Sequence, residues 1–505
     1  MPSSVLTRGS APTAAGRETG SGSAAGPGLN LRSGPSPLVM AIILTSQLMI
    51  VLDASVVITA LPKIHDAFGF SPTGLSWVQN AYTLAFGGLL LFGARVGDIL
   101  GRRRVYMAGI AAFTLASLAG GLAPNGTWLL TARTVQGVAA AIAAPSTLAL
   151  LMTSFREPRE RMRAISLYAA ASSGGASIGL VLGGFLTDLL SWRWGLFINV
   201  PIGVVLVLLA PRYLQETERK PGRFDLAGAI SSTLGMTALV YGFVRAGSAG
   251  WSDRATLASF VAALVLLAGF VLREQRAEQP ILPLRLFASR ERAGAYVARL
   301  FTVGGMFAFF FFLTQYLQEV LDYSALKAGF AFLPMTAVLF ATSRLVPRFA
   351  GRISSNRLLI IGLVLALGAM TWVRGLSAGT QYFPQLALPM MLMGIGMGIA
   401  FIPLTSMGIA GVRQEDSGAA SGLVNAFHQV GGSVGLAVLV TVFGTVSRNE
   451  AAKHAGSVAT GLQAKQELAH AISVSLTGSA IFLAVALLVV FATTAPRRDG
   501  QRNPA

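Results

Sequence analysis

Asp53 lies in the largely apolar run from Met40 to Pro62 and is its only ionisable residue. A carboxylate near the middle of a bilayer-length segment costs several kcal/mol or more, and it survives there only if protonated, paired or facing water. An acid at that depth can take a proton from one side of a membrane and release it to the other. Proton-coupled transport is therefore the first chemistry to consider; an acid that only pins helices together is the bland alternative. His428, beside Asn425 and Gln429, poses the same choice between a proton path or substrate contact and a hydrogen-bonded packing role. The Phe307-to-Phe312 cluster, with Phe310 inside it, could line a drug-binding cavity, although lipid-facing or core aromatics are the default.

The elements that position these groups follow from composition. The chain has 53% hydrophobic and 12% charged residues, with a mean hydropathy of +0.63. A soluble domain carries about 25% charge, so lipid must be the main solvent here. The net charge of +18 is scattered in short segments between apolar runs, which argues against nucleic acid as a partner. With no cysteine, disulfides, thiolate metal sites and thiol catalysis are excluded. No metal cluster, nucleophile triad or phosphate loop stands out, so neither an enzyme nor a metal site is expected. Gly394, Gly396 and Gly398 mimic part of a dinucleotide fingerprint, but no strand precedes them and helix packing is the better reading. Five of the 39 basic residues are Lys, and together with heavy Ala and Gly usage this points to a GC-rich bacterial genome.

The first 37 residues are rich in Gly, Ser, Ala and Pro and are expected to be disordered, as is the polar tail after Ala495. No separate hydrophobic segment with a cleavage site precedes the first span, so no signal peptide is expected. Between the tails, fourteen stretches are long enough to cross about 30 Å as helices. They are 38–61, 76–99, 105–124, 128–152, 162–188, 194–213, 225–246, 255–272, 293–319, 327–346, 357–375, 384–408, 417–447 and 471–493. With the N-terminus inside, the inner segments hold 26 basic residues and the outer ones 9. That bias places both termini in the cytoplasm. Arg95, Arg133, Arg299 and Arg344 fall within or at the ends of spans, and the last two are read as snorkelling to the cytoplasmic side. A weak internal repeat links Arg104–Gly109, opening the third span, to Arg357–Gly362, opening the eleventh. Two six-helix halves with two helices inserted between them would place those segments equivalently.

Several motifs sharpen this picture. Gly93-Ala-Arg95-Val-Gly97-Asp98-Ile-Leu-Gly101-Arg102 resembles the signature loop of the major facilitator superfamily, in which glycines let helix ends approach and an Asp makes a breakable pair. Leu129–Ala140, containing Arg133 and Gln136, resembles the fourth-helix motif of the same family. There Arg133 would tune the affinity of a nearby acid for its proton, with snorkelling as the competing reading. Gly175, Gly179, Gly183 and Gly184 resemble the family's antiporter motif, except that Leu180 stands where that motif has proline. The segments Ser191–Pro201, Leu52–Pro62, Trp77–Leu84, Pro283–Phe287, Tyr316–Leu321 and Ala328–Pro334 are similar to the fourteen-helix drug:H+ antiporter branch, with Ile58 and Thr59 replacing its usual Asn-Val.

The resemblance implies an all-α integral membrane protein of that fold, with fourteen helices in two six-helix bundles plus two inserted central ones. The expected organisation is a cytoplasmic tail at 1–37, an N-terminal bundle at 38–213, the inserted pair with its linkers at 214–292, a C-terminal bundle at 293–493 and a tail at 494–505. It implies a proton-coupled exporter of lipophilic drugs or antibiotics in a bacterial inner membrane, driven by the proton motive force without a cofactor and working as a monomer in lipid. An importer or nutrient:H+ symporter on the same fold stays open, as does a transport-inactive sensor or scaffold. Asp53 and Arg133 are the expected coupling pair. Gly93, Arg95, Gly97, Asp98, Gly101 and Arg102 form the expected cytoplasmic gate. Asn80, Tyr82, Gln136, Phe310, Asn425 and His428 are the expected cavity residues. One deep acid among apolar surroundings favours substrates that are neutral or carry one positive charge.

Overall fold

Apolar stretches this long satisfy their backbone in lipid by coiling into helices, and the chain does so throughout. The computed structural model describes residues 37–494 except 156, 220–223, 278–279, 350–351, 414–415 and 454–460. Both expected tails, save residue 37 and residue 494 at their inner ends, lie outside the described residues. Among the described residues fourteen helices follow one another. In the first half they are α1 (Pro37–Phe68), α2 (Ser76–Leu100), α3 (Arg102–Gly121), α4 (Gly126–Ser154), α5 (Pro158–Leu189) and α6 (Trp194–Tyr213). The inserted pair is α7 (Leu226–Ala249) and α8 (Arg254–Arg276). The second half holds α9 (Arg290–Val320), α10 (Ala325–Arg348), α11 (Ser355–Val373), α12 (Ala387–Ile409), α13 (Ser417–Lys453) and α14 (Gly461–Thr494). Among the described residues, 13 of these are apolar enough to span a membrane by composition alone. The remaining one, α3, opens on Arg102, Arg103 and Arg104, which dilute an otherwise apolar helix.

The packing is a repeat. In the first half, α2 and α3 pack on α4, α5 packs on α1, and α6 packs on α3 and α1. In the second half, α10 and α11 pack on α12, α13 packs on α9, and α14 packs on α11 and α9. The halves meet where α2 lies along α13 and, at the equivalent place, where α5 lies along α10. The weak sequence repeat now has a physical cause. A side chain at Gly109 would strike Ala143 of α4, and one at Gly362 would strike Gly396 and Ala400 of α12, so each glycine sets the same close helix crossing in its own half. Gly394 and Gly398 do likewise between α12 and α10. The α7–α8 hairpin leans on α13 and α2 through α7, while α8 leaves Leu264 and Val265 exposed, as lipid contact requires.

We call the face where α1 begins proximal and the opposite face distal. On the distal side Asp253 caps α8, accepting a hydrogen bond from Thr256, and pairs with Arg245 at 2.5 Å. The Arg245 hydrogen bond, helped by the Thr256 backbone N–H, lowers the Asp253 carboxyl to about 2. An acid depressed in the folded state contributes stability above its unfolded value and loses it as pH falls through the folded one. The α7–α8 loop should therefore stay intact from neutral pH down to about 4 and loosen only between about 4 and 2. Limited proteolysis of the loop across pH 7 to 3 checks this. Early cleavage at pH 6 would show that the pair does not hold the loop.

Candidate functional site

Helix α1 carries Asp53 at its centre with no exposed surface, and four other helices of the first half close round it. Arg133 of α4 donates to one carboxylate oxygen at 2.5 Å. The Gln136 amide, one turn further along α4, donates to the other at 2.9 Å, as does Asn199 of α6. Ser117 of α3 accepts from both amides, at 2.6 Å from Gln136 and 3.3 Å from Asn199. Arg133 also donates through Nε to the Val78 carbonyl of α2 at 3.1 Å, and its guanidinium lies 4.5 Å from the Tyr82 ring centre. Arg133 is fully buried, so it does not snorkel to an interface. Asn199 reaches the acid from the distal part of α6, where a short helix Trp194–Phe197 runs on into Asn199–Tyr213. Chemically this is a carboxylate with three donors, one of them a guanidinium. Protonation would remove the charge that holds Arg133 and so loosen α1 from α4.

A cavity of about 3530 Å³ runs between the halves and opens on the proximal face. Tyr82, Phe310, Asn425 and His428 line it, as do Phe307 and Phe311. Asn80 and Gln136 do not: Asn80 is buried inside the bundle, and Gln136 is spent on Asp53. Asp53 itself is absent from the wall: Ile50, Ala54 and Ile58 of α1 line it and Asp53 is on another face of that helix, while the Tyr82 ring, which lines the cavity, lies against Arg133. Arg299 and Arg344 face this cavity, Arg299 bonded to Thr405 at 3.0 Å and Arg344 lying over Phe340.

The expected gate residues sit on the proximal rim. Asp98 pairs with Arg102 at 2.6 Å across the α2–α3 turn, where Gly101 takes a φ of 103° that side chains avoid. The segment after α6 ties this turn down: Glu216 accepts from the backbone N–H of Arg103 at 2.9 Å and of Arg104 at 3.2 Å, neutralising the N-terminus of α3. Gly93 and Gly97 permit the close α2–α4 crossing beneath it, while Arg95 faces the cavity. Of the four α5 glycines, Gly175, Gly179 and Gly183 press against Leu48, Ser55 and Val56 of α1, and Gly184 against the Ala325 carbonyl of α10. Leu180 carries α5 straight on, its carbonyl against Gly329 of α10.

The distal side is shut. Gln318 of α9 donates to the Thr59 carbonyl of α1 at 3.0 Å, and Thr83 of α2 meets Ser433 of α13 at 2.5 Å. Asp188, ending α5, accepts from the backbone N–H groups of Ala325 and Leu326 at 3.0 and 2.7 Å and so caps α10.

Two halves related by repeat, a cleft between them and a buried ion pair at mid-membrane are the features of an alternating-access carrier. Residues 43–436 match the sequence profile of the Major Facilitator Superfamily. The chain belongs to this family. Among curated proteins it is 41% identical to the puromycin resistance protein pur8 of Streptomyces alboniger over 408 residues, covering 80% of this chain and 81% of that one. It is 39% identical to the cephamycin export protein CmcT of Amycolatopsis lactamdurans, covering 83% and 88%. Among solved structures, a bacterial homolog of the human lysosomal transporter Spinster superposes with a TM-score of 0.65 at 14% identity, covering 91% of this chain and 97% of that one, which shows the shared fold. This major facilitator is thus a multi-pass membrane transporter of small molecules and not an enzyme. Sequence reasoning left two of its site residues without a role, Asn199 and Ser117. Asn199 stood inside a quoted motif, and an amide within an apolar span was the available signal.

Proposed function

We propose that the protein exports lipophilic antibiotics or drug-like compounds from the bacterial cytoplasm in exchange for protons. The observation that carries this reading is the Asp53 carboxylate, wholly buried yet one side chain away from a cavity open on a single face. The basic proximal loops support assigning that face to the cytoplasm and both termini with it. The cavity lies within one chain, which supports a monomer as the working unit. In this cycle, substrate enters from the cytoplasm while Asp53 is ionised and held by Arg133. A proton arriving on Asp53 from outside releases Arg133, and the bundle halves rock between their two arrangements.

A susceptibility panel in an efflux-deficient host finds the compound, and transport in vesicles of known orientation fixes the direction. Accumulation against the proposed direction under an inward proton gradient would make the protein an importer. Tyr82 is the barrier between cavity and acid. Among the described residues its hydroxyl has no partner, so Tyr82→Phe should change transport by less than about threefold. Tyr82→Ala opens water to Asp53 and should let protons leak without substrate. A pH-sensitive dye in liposomes reads the leak, and a tight Tyr82→Ala variant would remove Tyr82 from this role.

A further inference from the structure

The acid once expected to meet a cationic substrate is hidden, and the wall presents the opposite charge. Arg299 of α9 is 7% exposed, lines the cavity, and among the described residues is paired with no carboxylate. Its one hydrogen bond goes from Nη1 to the Thr405 hydroxyl of α12, which leaves the Nε edge of the fork without an acceptor. Phe401 lies 5.8 Å from that guanidinium and also packs against His428, whose buried Nδ1 has no partner among the described residues either. Phe307 also packs against His428, with ring centres 5.9 Å apart. The acids on the cavity wall, Asp98, Glu216, Glu218, Asp225 and Asp416, stand at the proximal mouth, where Asp98 is engaged by Arg102, Glu216 by the first turn of α3, Asp416 by Arg285, and Asp225 by Arg273.

A guanidinium removed from bulk water without an anion is costly, and a carboxylate that reached its unpaired nitrogens would relieve that cost. We propose that Arg299, with His428 beside it and Phe307 and Phe401 as aromatic walls, is a substrate subsite for the carboxylate of a lipophilic aromatic acid. This deepens the export reading and rests on it for the word substrate. It replaces the preference for neutral or singly cationic compounds drawn from Asp53, because that carboxylate is turned away from the cavity and neutralised by Arg133.

Equilibrium binding tests the subsite without any gradient, so its failure is separate from a failure of proton coupling or of export. The probes are pyrenebutyrate, pyrenebutanol and pyrenebutylamine, read by fluorescence anisotropy on the full chain in phosphatidylcholine nanodiscs, with empty discs subtracted. We expect the acid to bind about tenfold or more tighter than the alcohol, and the amine no better than the alcohol. Arg299→Gln should bring the acid down to the alcohol and leave the alcohol unchanged, which also reports a folded cavity. Arg299→Lys should keep part of the preference, and Thr405→Val, which frees the guanidinium, should reduce it. An amine preference, or an acid preference that survives Arg299→Gln, overturns the proposal. A preference lost in phosphatidylglycerol nanodiscs would give the site to lipid head groups and overturn it as well. If Arg299→Gln does not fold, an unchanged acid preference in Thr405→Val overturns it.

Discussion

Asp53→Asn should abolish pH-driven export and also weaken the protein. The variant keeps size and amide hydrogen bonding but cannot carry the proton. It also leaves Arg133, fully buried, without its anion. Removing one partner of a buried pair costs about 3–5 kcal/mol, most of it the stranded charge. The melting temperature of the purified variant should therefore fall. Adding Arg133→Gln should restore much of the melting temperature but none of the transport. That split separates an acid that couples protons from one that only pins helices. If the double variant regained transport along with stability, Asp53 would be a structural acid.

Asp188→Ala should produce the largest change in conformation. Its two oxygens hold the first turn of α10 from the end of α5, and the bonds are made by a carboxyl acceptor at a helix N-terminus. Losing a contact of about 3 kcal/mol shifts a two-state ratio about 150-fold. The distal side should open at the expense of the proximal side. The chain has no cysteine, so single reporters label cleanly. Ile58→Cys, on the cavity wall, should gain reactivity towards an impermeant thiol reagent added distally. Ser421→Cys should lose reactivity from the proximal side. Unchanged labelling at both positions would mean that Asp188 only caps a helix.

The fold was legible because lipid allows few solutions. A helix of about 20 apolar residues is nearly forced, and each expected span falls on one of the observed helices. Gly109 and Gly362 carried the repeat because close crossings exclude side chains. The Asp53 and Arg133 pairing was half legible. Two charges in separate spans invite each other, but sequence gives no depth or facing, so it could not show Asn199 and Ser117 completing the shell. Nor could it show Tyr82 shielding the acid. Gln136 and Asn80 looked like cavity residues because polar groups in spans either face water or face one another, and only packing decides which. The same gap hid Arg299: a basic residue ten positions into α9 reads as snorkelling until its helix is seen beside a cavity.

The central claim is that substrate and protons move in opposite directions through Asp53. Proteoliposomes holding a pH-sensitive dye, with a compound taken from the susceptibility panel, test it most directly. Imposing an outward gradient of that compound should drive protons inward in the wild type, and the flux should disappear in Asp53→Asn. Substrate movement without proton flux, or equal proton flux in both proteins, would contradict the account.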